Sequence, residues 1–204
     1  KLMYENKFKL IELAKEKYNV DGILLARPFK ITKIGPVRLF CKDVEDARSF
    51  YRDTLGFIET EVINFKGHKC IFMRNNTEHH SMSLYPIALR KELGCREDTQ
   101  LFSFAVRLAN YQQLKNAVEF FRENGCMVRE DIPQELYPGI DYTAFVSDPD
   151  GQLIQLYAYM EQVGWDGKPR PTSKRREVVP GVWPDTLDTV SDSYMGEPFL
   201  GPLG

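Results

Sequence analysis

Histidine is scarce in this sequence. There are three in 204 residues, His68, His79 and His80, so a metal site built on several imidazoles has little to draw on. Cysteine is scarce as well. Cys41, Cys70, Cys95 and Cys126 are scattered and form no C-x-x-C pair. That argues against a zinc site or a disulfide framework and favours free thiols in a reducing cytoplasm. No apolar run approaches a membrane span, and no block of Lys and Arg suggests a nucleic-acid partner. The net charge is −2, with acids and bases interspersed. Nothing near the start reads as a signal peptide. The chain begins at Lys1 rather than Met, which leaves an upstream segment open.

What is present is enough apolar material for a real core: 43% hydrophobic residues and 12% aromatic. Residues 1–30 read as an N-terminal helix and linker. Phe8, Ile11, Leu13 and Ala14 mark one face of a helix over 6–18, stopped by Asp21-Gly22, with Arg27-Pro28 leading into extended chain.

From Ile31 the rhythm changes. Ile34–Phe40 reads as a strand. Asp43 is a good N-cap for a helix over Val44–Leu55, and Gly56 is its stop. Strands follow at Phe57–Phe65, Lys69–Arg74 and His80–Tyr85, separated by Lys66-Gly67 and Asn75-Asn76. The order then repeats. A strand over Leu101–Leu108 and a helix over Tyr111–Glu123 precede strands at Met127–Asp131, Tyr142–Val146 and Leu153–Tyr159. Pro36 to Asp43 laid over Ser103 to Asn110 gives the same distance from strand to helix cap. The expectation is an α+β fold. Two βαβββ units over residues 31–160 form one curved eight-stranded sheet, or partial barrel, around a cavity. Residues 161–204 hold six of the twelve prolines and read as an extended tail. Trp165, Trp183, Tyr194, Phe199 and Leu200 would anchor it to its own domain or to a partner subunit.

Two segments carry a family resemblance that covers about two thirds of the chain. Asp43-Val-Glu-Asp-Ala-Arg-Ser-Phe-Tyr-Arg-Asp-Thr-Leu-Gly-Phe57 resembles the first helix of vicinal-oxygen-chelate domains, and Asp148-Pro-Asp-Gly151 resembles their final turn. That superfamily includes glyoxalases, bleomycin-resistance proteins and extradiol dioxygenases. His79-His80-Ser-Met-Ser-Leu-Tyr85 is similar to the fourth strand of the C-terminal module of type I extradiol dioxygenases, and Arg27-Pro28 resembles the linker before it. The resemblance implies an iron held by a His on the first strand, a His on the fifth and a Glu on the eighth. Those positions here carry Pro36, Ser103 and Gln155. Pro has no donor, Ser is a poor ligand unless deprotonated, and Gln offers a neutral carbonyl. The expected cofactor is therefore none. The alternative is iron or another divalent metal held by replaced ligands.

Alternation puts Pro36, Arg38 and Phe40 on one strand face, and Ser103, Ala105 and Arg107 on the matching face of the repeat. Gln155 and Tyr157 come from the last strand and His80 from the fourth. A cavity so lined suits an aromatic or carboxylated small molecule. Arg38, Ser103, Arg107, Gln155 and Tyr157 are the candidate ligand-binding residues, with His80 the candidate acid–base group. Each also suits a plainer role. The arginines suit rim or internal ion pairs, His80 suits a hydrogen-bonded core, and the tyrosines suit packing.

Three functions follow. One is a metal-free binding protein, expected as a homo-oligomer. Another is an enzyme, either a dioxygenase-like oxidoreductase or a metal-free lyase or isomerase using His80. The third is a non-catalytic subunit that docks through its tail.

Overall fold

A computed structural model describes residues 17–20, 22–163 and 167–187. The expected N-terminal helix falls almost wholly outside these residues, as do Trp165, Tyr194, Phe199 and Leu200. Two short strands are found where that helix was expected to end. β1 (Tyr18–Val20) and β2 (Ile23–Leu25) pair antiparallel around Gly22, whose φ is +86°. Gly22 thus stands in the hairpin between β1 and β2, where a helix stop was expected.

The rest of the architecture follows the repeat. β3 (Ile31–Cys41) leads to helix α1 (Val44–Ser49), then β4 (Ile58–Phe65), β5 (His68–Arg74) and β6 (Met82–Pro86). After the short helix α2 (Leu89–Glu92), β7 (Leu101–Leu108) leads to helix α3 (Tyr111–Glu123). Then come β8 (Val128–Arg129), β9 (Thr143–Ser147) and β10 (Leu153–Tyr157). The sheet order is β4-β5-β6-β3-β7-β10-β9-β8. Read outward from the central antiparallel pair β3–β7, the two halves have the same order, so the units are related by a pseudo-twofold between those strands. The sheet is open; β4 and β8 are its edges.

Capping explains why both helices start where they do. Asp43 accepts from the amides of Glu45 (2.8 Å) and Asp46 (3.0 Å), and Asn110 accepts from Gln113 (2.9 Å). The first helix does not run as one α-helix to Leu55. It widens into a π turn over Phe50–Thr54 before Gly56 ends it.

Alternation divides the core in two. On one face of the sheet, Ile71, Met73 and Leu84 pack under Val44, Ala47 and Tyr51, while Val106, Leu108 and Leu156 pack under α3. The other face holds Cys70, Phe72, Tyr85, Phe40, Ala105, Leu153 and Tyr157. Over it lies the β8–β9 loop, through Ile132, Leu136, Tyr137 and Ile140. Packed rings occupy this face: Phe40 stacks on Phe102 at 5.0 Å and Phe102 on Phe145 at 6.3 Å.

Beyond β10 the described tail has little regular structure, one 3-10 turn over Thr172–Lys174. Trp183 anchors it to its own domain, stacked on Tyr111 at 6.1 Å and bonded through Nε1 to Glu130.

Candidate functional site

The centre of the sheet places Arg38 in a row of five. Cross-strand register runs Phe72, Ser83, Arg38, Ser103, Leu153. Arg38 therefore lies between two serines, and all three are fully buried. The guanidinium bonds to His80 through Nη2, with Nη2 to Nε2 at 3.2 Å. Its Nε and Nη1 have no hydrogen-bond partner among the described residues, nor have the hydroxyls of Ser83, Ser103 and Tyr157, nor either amide atom of Gln155. Among the described residues no carboxylate pairs with Arg38. Burial lowers its pKa; Tyr85, whose phenol lies near enough to the guanidinium to act as a weak acceptor, opposes that shift most, followed by Tyr157 and Tyr137. A buried cation without an anion is costly, and so is each unpaired donor.

The strand expected over His80–Tyr85 starts two residues later than His80, so His79 and His80 are not strand residues. They lie instead in the turn before β6, which begins at Met82. Strand alternation does not apply there, and both rings are fully buried with their Nδ1 atoms 3.1 Å apart. His79 continues to Glu61 on β4, Nε2 to Oε2 at 3.1 Å. Arg175 of the tail grips both oxygens of Glu61, at 3.0 and 2.7 Å. The result is an unbroken chain from Arg38 through His80, His79 and Glu61 to Arg175.

Chemistry fixes the protons along it. Arginine can only donate, so His80 Nε2 is an acceptor and Nδ1 bears the hydrogen. His79 Nδ1 must then accept, leaving its Nε2–H to donate to the Glu61 carboxylate. Both imidazoles are neutral in this arrangement. His80 agrees, since burial first and the Arg38 charge second lower its pKa well below the usual value. Burial raises the Glu61 carboxyl, but the bonds from His79 and Arg175 outweigh it and hold the pKa below its usual value.

The other candidates divide. Pro36 is buried, beside a break in β3–β7 register between Ile34 and Val37, where a residue lacking an N–H is tolerated. Tyr157 has its ring against Gly35; a Cβ there would come within 2.6 Å of it. Gln155 lies opposite Ala105, one row from Ser103. Arg107 does not join Arg38. It is half-buried, opposite Lys33, and its Nε donates to the Ala158 carbonyl at 3.2 Å. His68 pairs with Glu92 at the surface. Among the described residues no group of three or more His, Cys, Asp or Glu is placed to hold a metal ion.

Glu61, Arg175 and Tyr137 are site residues that sequence reading missed. Glu61 looks like one more surface acid of an alternating Glu59-Thr60-Glu61 edge. Only the tertiary contact with His79 reveals it.

A family model described as Glyoxalase/Bleomycin resistance protein/Dioxygenase superfamily matches residues 33–156, more than half of the chain. No curated protein sequence matches it. Solved structures do. A homoprotocatechuate 2,3-dioxygenase variant from Brevibacterium fuscum is 21% identical with a TM-score of 0.54, covering 70% of this chain and 38% of that one. The enzyme of that name from Arthrobacter globiformis is 22% identical with a TM-score of 0.52, covering 66% and 38%. A complex of the Brevibacterium fuscum enzyme with 3,4-dihydroxyphenylacetate is 23% identical at 0.52, covering 68% and 40%. The chain spans well under half the length of these relatives, and at this identity the likeness is one of fold.

Proposed function

Since the chain belongs to the glyoxalase/bleomycin resistance protein/dioxygenase superfamily, we propose that its sheet holds a small carboxylated or phenolic aromatic molecule against Arg38, without a catalytic metal. One observation carries the reading: Arg38 is fully buried, and among the described residues two of its nitrogens lack a well-formed hydrogen bond and no carboxylate pairs with it. An anionic ligand would supply the missing charge and acceptors, and charge-assisted bonds to a guanidinium are the strong ones. Ser83 and Ser103 flank the same point and would complete the cradle.

The metal that the family implies does not suit these residues. Pro36 has no donor atom. Ser103 and Gln155 offer neutral oxygens, and a dication beside Ser103 would meet a buried guanidinium directly across the strand pair. No step is therefore routed through a metal.

A second reading has its own support. The chain His80–His79–Glu61 orients His80 as a neutral imidazole of depressed pKa, the form a general base takes. In a lyase or isomerase His80 would act once the ligand displaces Arg38 from Nε2. Four unpaired thiols suit a reducing compartment such as the cytoplasm.

Calorimetry with benzoate tests the first reading. Arg38→Ala should weaken binding by about 1.5–3 kcal/mol, the scale of a charged hydrogen bond. Equal affinity in wild type and variant rejects the assignment.

A further inference from the structure

The β8–β9 loop and the tail segment 172–183 flank a cavity of about 780 Å3, a volume in the range of small-molecule sites. Arg38, His80, Ser83, Ser103 and Gln155 do not line it, so it stands apart from the buried row. Its tail wall lies beyond the 33–156 span of the family match. The two walls are fastened to each other. The Gln134 side chain donates to the Arg176 carbonyl at 2.9 Å and accepts from the Val178 amide at 3.2 Å, and Trp183 packs on Tyr142 with ring centroids 5.9 Å apart. A cavity so braced is formed before a ligand arrives, which lowers the ordering cost of binding. Charge on the lining is unbalanced. Among the described residues four carboxylates line the cavity, Glu130, Glu135, Asp141 and Glu177, against two guanidinium groups, Arg175 and Arg176. Arg175 is neutralised by Glu61, which is not a lining residue, and Glu130 is taken by Arg122 and the Trp183 Nε1. Three carboxylates are then left with Arg176, which meets Asp141 only at 3.7 Å, beyond hydrogen-bond reach.

We propose that this cavity binds an organic cation, an ammonium group carried on an apolar or aromatic body. The inference does not depend on the anion-binding reading at Arg38.

Three features select that class. The excess carboxylates attract a positive charge and repel an anion. Tyr142 and Trp183 bring aromatic rings to the lining, and ring faces hold cations. Arg176 already makes this contact, with its guanidinium carbon 5.8 Å from the Tyr142 ring centre. The protein's own cation thus rests, between a ring and Asp141, where a ligand ammonium would. Ile140, Val178 and Pro180 add apolar surface to receive the body.

The test is a chemical-shift titration of the full 15N-labelled chain at neutral pH with tryptamine and with tryptophol, its neutral counterpart of the same shape. Tryptamine should move the amides of Gly139, Thr143, Val178 and Val182 and bind about tenfold more tightly than tryptophol. Asp141→Asn should cut that preference at least threefold. If that variant does not fold, Glu135→Gln combined with Glu177→Gln, both at exposed positions, should do the same. Arg176→Gln should tighten tryptamine binding by removing the competing cation. Equal binding of the two compounds, an undiminished preference in a folded acid variant, or no tightening in Arg176→Gln overturns the site. Shifts confined to the amides of Arg38, Ser83 and Ser103 overturn it as well.

Discussion

The Nδ1 atoms of His79 and His80 face each other at 3.1 Å, and a single hydrogen lies between them. It belongs to His80, because Arg38 occupies His80 Nε2 as a donor. Histidine-selective 15N spectra should therefore show His80 protonated at Nδ1 and His79 at Nε2. A spectrum with the reverse tautomers would mean that Arg38 does not hold His80 in solution. Glu61→Gln should keep the pattern, since the amide oxygen can still accept from His79, whereas Glu61→Leu should scramble it.

The same ring sets a pH dependence. His80 has a folded pKa well below its ordinary 6.5 because burial and Arg38 disfavour its charged form. Below pH 6.5 the unfolded chain takes up a proton that the folded chain refuses. Stability attributable to this group is thus full above pH 6.5 and falls as pH drops toward the folded pKa, by at most about 1.4 kcal/mol per pH unit. Urea midpoints at pH 7.5 and 5.5 measure it. His80→Gln keeps an acceptor for Arg38 and should flatten the slope. An unchanged slope would place the titration elsewhere.

Gly139 makes a prediction about packing. Its φ is +81°, and an added Cβ would sit 2.8 Å from the His79 side chain. His79 cannot give way easily, since its backbone N–H donates to Glu161 and both ring nitrogens are engaged. Gly67 has the same backbone, φ +84°, but faces open space. Gly67→Ala should cost about 1 kcal/mol for backbone strain alone. Gly139→Ala should cost about 3 kcal/mol and disturb the His79 resonance. Equal losses in chemical denaturation would count against the close approach.

These features divide into what the sequence could show and what it could not. Strand-to-cap spacing is a local property, and it revealed both βαβββ units; β7 and α3 fall on their expected bounds. The turn before β6 was misread because His79-His80 joins directly onto a strand pattern. That error hid the contact between the two rings. Arg107 keeps the alternation from Ser103, in register with Tyr157, but it stands near the end of β7 and its Nε donates to the Ala158 carbonyl rather than joining Arg38. Glu61 and Arg175 are 114 residues apart, a pairing no local pattern encodes. Ser83 was passed over although it sits one strand from Arg38.

Metal content gives a further test. Protein grown with iron, manganese or zinc should hold far less than one equivalent by elemental analysis, because Pro36, Ser103 and Gln155 offer no anionic ligand. Pro36→His, Ser103→His and Gln155→Glu combined should still bind poorly while Arg38 stays, since the guanidinium lies directly across from position 103. Adding Arg38→Met should raise the metal content. Stoichiometric metal at these positions in wild type would overturn the argument.

Arg38 itself decides between a strut and a binding group. Its burial costs several kcal/mol in effective desolvation, and among the described residues Nε and Nη1 lack a well-formed hydrogen bond, with the Tyr85 phenol close by. Arg38→Met keeps the bulk, removes the charge and leaves His80 Nε2 without a donor, a loss of about 1–3 kcal/mol. The first effect outweighs the second. In the absence of ligand, Arg38→Met should therefore be as stable as wild type or more stable by about 1–2 kcal/mol, while binding benzoate far more weakly. Stability given up for an unsatisfied cation is the signature of a site kept for its ligand. A loss of more than about 2 kcal/mol on Arg38→Met would instead make Arg38 a structural strut, and the case for a buried anion site would lose its foundation.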